Sequence, residues 1–486
     1  MSTIKDLNPK ALWKHFYELT QIPRPSKKEK NAVAFARKFG EDNGLETVVD
    51  EVGNVIIRKP ATPGNENKMG VILQAHLDMV PQKNSDKKHD FEKDPIESFI
   101  DGEWVKARGT TLGADNGIGV AAAMAVLEAD NIEHGPVEAL FTIDEETGMT
   151  GAFELKPGLL KGKILLNLDS EDEGELYIGC AGGMNTSATM DYEEESTPGS
   201  HLAFRVEIKG LKGGHSGLDI HLGRANANKL MNRFLWAASD EFDLRIAHIE
   251  GGSLRNAIPR ESFAVVTVPA DDKKDFTALV EEYSEMFKAE FKGPEPDLSF
   301  TASETELPSR VMNADDQERI IKMVYGIPNG VMRMSTDMPD VVETSLNLAI
   351  VNAKGGKFDA LCLIRSAVDS AKFSVGNMTQ AVMELAGASV THDGTYPGWK
   401  PNVDSPILKT MKNVYHEKYG KVPEVKVIHA GLECGIIGDA YPGLDMISFG
   451  PTIRFPHSPD EKVNIKTVEK FYDYLVETLK NIPAGR

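Results

Sequence analysis

Two histidines and a set of carboxylates, with no cysteine among them, define the chemistry open to this chain. They fall in five short segments: AHLDMV with His76 and Asp78, GADNG with Asp115, IDEETG with Asp144, Glu145 and Glu146, LNLDSED with Asp169, and FPHSPDE with His457. Imidazole and carboxylate donors in this mixture suit a hydrolytic zinc site. A paired-metal site needs, in addition, a bridging carboxylate and a base that binds no metal. Adjacent Glu145 and Glu146 can divide those roles, because neighbouring side chains on an extended or turning chain point in different directions.

Each segment alone has a plainer reading. An acid after a strand is usually a solvated loop residue or a helix cap. A lone histidine such as His457 is more often a satisfied polar group, and DEETG can be a capped turn. The plain reading weakens because all the segments belong to one expected sheet edge. Strand signals cover Asn54–Arg58, Gly70–Ala75, Val137–Ile143 and Lys163–Asp169, and the last three are nearly all apolar, as strands covered on both faces should be. Asp115–Ala129 reads as an Ala-rich buried helix between two of them. Leu12, Phe16 and Leu19 share one helical face, as do Ala32, Phe35, Ala36 and Phe39. This alternation predicts an α/β fold with a mixed sheet and helices on both faces. Asp78, Glu145 and Asp169 directly follow buried strands, where an acid is costly unless it is paired or binds metal. In such sheets ligands bind outside the carboxyl ends of the strands.

The chain has 486 residues, more than one hydrophobic core of about 250–300 residues holds. The rhythm changes after the Gly182-Gly183 pair, and the acidic stretch DYEEESTPGS at 191–200 ends in turn chemistry. A strand–helix–strand–strand–helix–strand order follows and partly recurs, which predicts an inserted α+β domain of two similar units. The α/β rhythm resumes after Pro397, and the last helix carries Val468, Phe471, Tyr472, Leu475 and Leu479 on one stripe. The expected organisation is a first domain in two parts, 1–185 and 391–486, which carries the five segments, with a second domain inserted at 186–390.

Net charge is −20, which favours solubility and argues against nucleic acid or an anionic membrane as partner. The beginning of the chain lacks a basic stretch leading into an apolar one, so no signal peptide is expected. The longest run of apolar residues and glycine, Gly117–Leu127, falls short of the ~20 residues that span a bilayer. Cys180, Cys362 and Cys434 are far apart and odd in number, which fits neither a disulfide framework nor a thiolate zinc site. A cytoplasmic protein is expected.

The ordered set His76-x-Asp78 with Val80 and Pro81, Asp115 in a Gly-rich loop, DEETG, Asp169 and PHSPDE resembles the carnosinase and carboxypeptidase-G superfamily of co-catalytic zinc peptidases. GGHSG at 213–217 and NAIP at 256–259 resemble that family's lid motifs, so the resemblance spans nearly the whole chain. It implies two zinc ions per chain, with cobalt or manganese able to replace them. His76 and Asp169 would bind one ion, Glu146 and His457 the other, and Asp115 would bridge them. Asp78 would orient His76, and Glu145 would take the proton from the attacking water. In the lid, His215 would meet the tetrahedral oxyanion, Asn256 the substrate backbone and Arg365 the terminal carboxylate. Glu433, in HAGLECG, is a weaker candidate for the substrate ammonium. Asn116 departs from the Met or acidic residue that often follows the bridging Asp, so a local change is expected there. The activity implied is hydrolysis of small peptides, notably dipeptides of the aminoacyl-histidine type such as β-Ala-His, by a chain that forms a homodimer. The competing readings are a deacylase of N-acyl amino acids on the same scaffold, and a zinc-binding protein without catalysis. An intact Glu145 argues against the latter, since a structural site needs no spare base.

Overall fold

The computed structural model describes residues 3–485. Two compact units are present. The first runs to Gly179 and resumes over Pro401–Val427 and from Leu432 onward; the second comprises Cys180–Lys400 and Ile428–Gly431.

The first unit is built on an eight-stranded sheet with the order Glu46–Val49, Val55–Lys59, Val137–Thr142, Val71–His76, Ile164–Asn167, Asp445–Ser448, Glu175–Cys180, Glu424–Ile428. The four strands from Val137–Thr142 to Asp445–Ser448 run parallel, and antiparallel pairs flank them. Every residue of Val71–His76, Val137–Thr142 and Ile164–Asn167 is buried. Covered on both faces, these strands have no solvent side to alternate with, which is why they read as unbroken apolar runs. Helix Ala114–Glu128 packs on Val71–His76 and against helix Lys10–Thr20. It is buried on almost all sides, so its sequence is apolar all round rather than striped. A small four-stranded sheet of Ile453–Arg454, Lys462–Asn464, Trp104–Ala107 and Ser98–Asp101 is absent from the sequence-based expectation. Its strands are too short to carry a period, yet its first hairpin presents His457.

The second unit contains a nine-stranded sheet. Its path is Ser299–Thr305, His201–Lys209, Ser262–Pro269, Arg245–Gly251, Val342–Lys354, Lys357–Ser366, Gly182–Asp191, Ser389–Tyr396, with Gly330–Met334 alongside Val342–Lys354. The two expected lid units are thus halves of one sheet, joined where Ile249–Gly251 pair with Val351–Ala353. Helices Ala227–Glu241, Lys273–Glu290, Ala314–Gly326 and Asp369–Leu385 contribute with both halves to one continuous core.

The edges of this unit lie at 180 and 400 rather than at 186 and 390, because Gly182–Asp191 is an interior strand of its sheet and Ser389–Tyr396 the strand beside it. The Gly182-Gly183 pair marks close packing, not a break. A Cβ on Gly182 would meet the backbone of Tyr396 and Gly398 at 2.5 Å, and one on Gly183 would meet the Tyr396 ring at 2.5 Å.

Phe234 is fully buried in this core and packs edge-on against Phe276, Tyr283 and Phe300 with centroid separations of 5.0–5.9 Å. Phe234→Ala is expected to destabilise the second unit by about 3–5 kcal/mol, the cost of lost contacts plus a cavity. Urea unfolding followed by tryptophan fluorescence checks this; a change below 1 kcal/mol would mean that the core closes over the gap.

Candidate active site

Three neighbouring parallel strands deliver side chains to one edge of the first unit's sheet. His76 is the last residue of Val71–His76, Glu145 and Glu146 follow Val137–Thr142, and Asp169 follows Ile164–Asn167. Asp115 is added by the start of helix Ala114–Glu128, and His457 by the loop between Ile453–Arg454 and Lys462–Asn464. Asp115 lies between the two histidines. Its Oδ1 is 3.2 Å from His76 Nε2 and its Oδ2 is 3.2 Å from His457 Nε2. His76 Nε2 is also 3.4 Å from Asp169 Oδ1, and His457 Nε2 is 3.0 Å from Glu146 Oε2. Two donor groups result, His76–Asp115–Asp169 and Asp115–Glu146–His457, each with its ligand atoms within 4.8 Å of one another. His76 is also grouped in this way with Glu145 and Glu146.

The backbone explains how one short turn presents two acids. Asp144 adopts a left-handed conformation, φ 50° and ψ 43°, which Asp tolerates better than most residues. Its carboxylate accepts from the Thr147 and Thr150 hydroxyls, and its N–H donates to Glu29 Oε1 at 3.1 Å. Asp78 then fixes the turn from the other side. Its Oδ1 accepts the Glu145 N–H at 3.0 Å and its Oδ2 the Glu146 N–H at 3.2 Å, while Ser26 Oγ donates at 2.8 Å. The same carboxylate lies 3.3 Å from His76 Nδ1, which also faces the Asp78 carbonyl oxygen at 3.2 Å. Two oxygens at Nδ1 place its proton there and leave Nε2 as the ligand atom. Asp78 therefore orients the imidazole and both glutamates at once.

Asn116, the departure noted in the sequence, is buried and donates from Nδ2 to the Leu168 carbonyl at 2.8 Å, tying the Asp115 segment to the strand end that carries Asp169. Arg24, which sequence reading did not single out, is fully buried. It donates from Nη1 to the Leu77 and Asp78 carbonyls at 2.9 Å and from Nη2 to the Gly113 carbonyl at 2.6 Å. Nothing local in TQIPRPSKK predicts those distant partners. Glu433 is also buried beside this cluster. Its Oε2 accepts from Gln74 Nε2 at 2.6 Å and Thr142 Oγ1 at 2.8 Å, while Oε1 has no hydrogen-bond partner among the described residues.

Electrostatics follow from so many carboxylates in so little water. Burial and neighbouring acids push Asp169 up to about 7 and Glu145 well above the usual carboxylate range, against the pull of His76. Burial also lifts Glu433 to about 7. Asp78 is buried too, but its bonds to His76 and to backbone N–H groups hold it down at about 2. Asp115 is likewise kept low against burial by the two histidines. Hydrogen bonds to Asp115 and Glu146 raise His457 to about 11.

In the second unit His215, Asn256 and Arg365 lie together. Gly214–His215 pairs with Ala257–Ile258, and the Ser216 N–H donates to the Asn256 carbonyl at 2.8 Å, leaving the Asn256 side chain exposed. Arg365 is 4% exposed, contacting Tyr396 Oη at 3.3 Å, Ser216 Oγ at 3.4 Å and His215 Nε2 at 3.3 Å. His215 Nδ1 accepts the Gly217 and Leu218 N–H groups at 3.2 and 3.0 Å. An acceptor Nδ1 leaves the imidazole proton on Nε2. That N–H and the guanidinium thus point two donors at each other, an arrangement that a shared anionic acceptor relieves.

A mixed sheet whose strand ends gather two overlapping imidazole–carboxylate groups presents the donor sets of a paired-metal hydrolytic centre. The chain belongs to peptidase family M20/M25/M40, whose sequence model matches residues 72–481, and it is accordingly a hydrolase of peptide bonds. It is 47% identical over 484 residues, covering 100% of both chains, to the cytosol non-specific dipeptidase of Escherichia coli (strain K12). The crystal structure of aminoacylhistidine dipeptidase from Vibrio alginolyticus superposes with a TM-score of 0.96 at 51% identity, covering 100% of this chain and 99% of that one. The aminopeptidase PepT from Bacillus cereus shares the fold, with a TM-score of 0.57 at 17% identity over 98% of this chain and 99% of that one. Among the described residues no helix is long and apolar enough to cross a membrane.

Burial and the Arg365 charge lower His215 to about 4, below its ordinary 6.5. Folding thus disfavours protonation. His215 stays neutral at pH 7, and its contribution to stability falls as the pH drops from 6.5 towards 4. An NMR titration should show the His215 ring changing near pH 4; a midpoint at or above the ordinary 6.5 would contradict the burial argument.

Proposed function

We propose that this chain is a two-zinc dipeptidase of the cytosol, cleaving small dipeptides that include the aminoacyl-histidine type. The observation that carries the reading is the Asp115 carboxylate, with one oxygen 3.2 Å from each histidine. The donor set fits a pair of divalent ions. Glu146 Oε1 is buried without a hydrogen-bond partner among the described residues, and Asp169 Oδ1 faces only His76 Nε2, at 3.4 Å; buried oxygens so poorly satisfied are costly unless a cation takes them. All donors are nitrogen or oxygen, which suits zinc and admits cobalt or manganese. His76, Asp115 and Asp169 would hold one ion, and Asp115, Glu146 and His457 the other. The substrate class rests on the names of the Escherichia coli and Vibrio relatives, which are 47% and 51% identical over essentially the full chain.

When bound, the ions polarise the scissile carbonyl and make water at the site acidic. Glu145 binds neither ion in this reading. Burial raises its proton affinity, so it can take the proton of the attacking water and return it to the leaving amine. Asp78 keeps His76 and the Glu145–Glu146 turn in register. His215 donates from Nε2 to the developing oxyanion, Asn256 fixes the substrate backbone, and Arg365 takes the terminal carboxylate. Among the described residues no carboxylate pairs with Arg365, and the charged side chain acting on it is Arg255, which supports its need for an anion.

The decisive experiment separates the two adjacent glutamates. Glu146→Ala should lose zinc and activity together. Glu145→Ala should keep both ions and its fold, yet lose about 10²–10⁴-fold in kcat, the usual contribution of a positioned base, with KM little changed. Zinc retained by Glu146→Ala and lost by Glu145→Ala would exchange the roles; full activity in metal-free protein would remove the mechanism.

Substrate recognition has its own test. Arg365→Ala should raise KM for free-acid dipeptides and narrow the gap between them and C-terminal amides. Equal cleavage of acids and amides by the unaltered enzyme would reject the Arg365 assignment.

A further inference from the structure

The FPHSPDE segment carries a second acid besides its histidine. Glu461 is 1% exposed and lies far from Asp115 in sequence but against it in space. Its Oε2 accepts the Leu112 and Gly113 N–H groups at 2.7 and 2.9 Å, and its Oε1 accepts those of Ala114 and Asp115 at 2.8 and 3.2 Å. These consecutive amides lead into helix Ala114–Glu128, whose backbone is non-helical at Asp115 and Asn116, so helix hydrogen bonds do not satisfy them and the carboxylate does. Gly113, with φ 72°, lets the chain turn around the carboxylate; a Cβ there would meet Arg24 Nη2 at 2.5 Å. Arg24 holds the opposite, carbonyl side of the same loop through the Gly113 oxygen at 2.6 Å. Glu461 is also four residues from His457, so one carboxylate fastens the loop of Asp115 to the loop of His457.

We propose that Glu461 is a positioning residue: by accepting the amides of Leu112–Asp115 it sets the Asp115 carboxylate between His76 and His457. Asp115 itself has non-helical backbone angles, φ −81° and ψ 109°, so helix geometry alone does not aim its side chain. Four donors meeting two carboxylate oxygens also define one orientation of the loop, whereas a single hydrogen bond would leave it free to pivot. The role rests on the two-metal reading above in so far as metal affinity reports it, but the loop restraint exists in the protein alone.

Glu461→Gln tests this with little change in shape. An amide has one acceptor oxygen, and its NH₂ group would face two backbone N–H donors, so at most half the bonds survive. Folding is checked by thermal melting, and metal-free protein is titrated with Co²⁺ while its absorption spectrum is followed. Affinity is expected to fall about 10–100-fold, the usual effect of removing an outer-sphere support, with an altered spectrum. At saturating metal, kcat should fall while KM for a dipeptide stays near the unaltered value. Glu461→Asp, which retains the charge, should recover part of both losses. A folded Glu461→Gln protein with unaltered affinity, spectrum and kcat would overturn the proposal, even if it melts at a lower temperature. Unfolding of both variants would also overturn it, making Glu461 a prop of the fold. If the unaltered chain binds no metal, the two-metal reading fails separately. Amide exchange in metal-free protein then decides. Exchange at Leu112–Asp115 should rise at least tenfold in Glu461→Gln with strand Val71–His76 unchanged, and equal exchange there rejects the restraint.

Discussion

Carboxylates crowded together away from water repel one another, and positive charge must stand among them. That constraint organises the first unit. Asp115, Glu145, Glu146 and Asp169 fall into overlapping groups whose ligand atoms lie within 4.8 Å of one another. In the protein alone, His76 and His457 supply the compensating charge, and both imidazoles hold their protons more tightly than usual. The compensation is incomplete. Asp169 and Glu145 are pushed towards their neutral forms, and a buried oxygen of Glu146 lacks a hydrogen-bond partner among the described residues. A cluster that is costly in this way marks a candidate functional site, and divalent ions are the charge that would balance it.

The parts around the cluster act by restricting geometry. Parallel strands bring His76, the Glu145–Glu146 turn and Asp169 to one edge without further help. Asp78 then couples the imidazole to the turn, because the same carboxylate meets His76 Nδ1 and the amides of Glu145 and Glu146. A shift of the turn would therefore rotate His76, and the reverse also holds. Arg24 braces the Asp78 and Gly113 carbonyls from beneath. Such shared partners explain why acids that differ by one position can present different faces with little freedom to exchange.

The candidate ligands were legible because strand ends leave a sharp trace. In ILQAHLD and LFTIDEE an apolar run stops abruptly at His or an acid, and the fold turns that stop into an edge position. The lid was legible as alternating elements, but its start was not: GGMNTSATMD has glycines that suggest a turn and polar residues that suggest exposure. Those glycines are demanded by the Tyr396–Gly398 segment packed against them, a partner about two hundred residues later in the chain. Arg24 escaped notice for a similar reason. Its work is done through backbone carbonyls, and backbone partners leave no residue type to recognise. Glu461 sat inside a motif already quoted, yet an acid in a Pro-rich loop looks solvated until the amides it meets are known.

The two units differ in the sign of what they lack. The first concentrates acceptors that need cations. The second, around Arg365, concentrates donors: a buried guanidinium, and an imidazole whose Nδ1 is already occupied by the N–H groups of Gly217 and Leu218. Donors facing donors at 3.3 Å gain nothing from each other, and the proposed function gives them a group that accepts from both. A dipeptide in its ordinary ionised form carries such a group at its C-terminus, and its scissile carbonyl develops negative charge during attack. An uncharged C-terminal amide would leave the buried guanidinium without a counter-charge, and an unpaired charge of that kind is costly. In the proposed function, a preference for free over amide-capped C-termini would then follow from the electrostatics around Arg365.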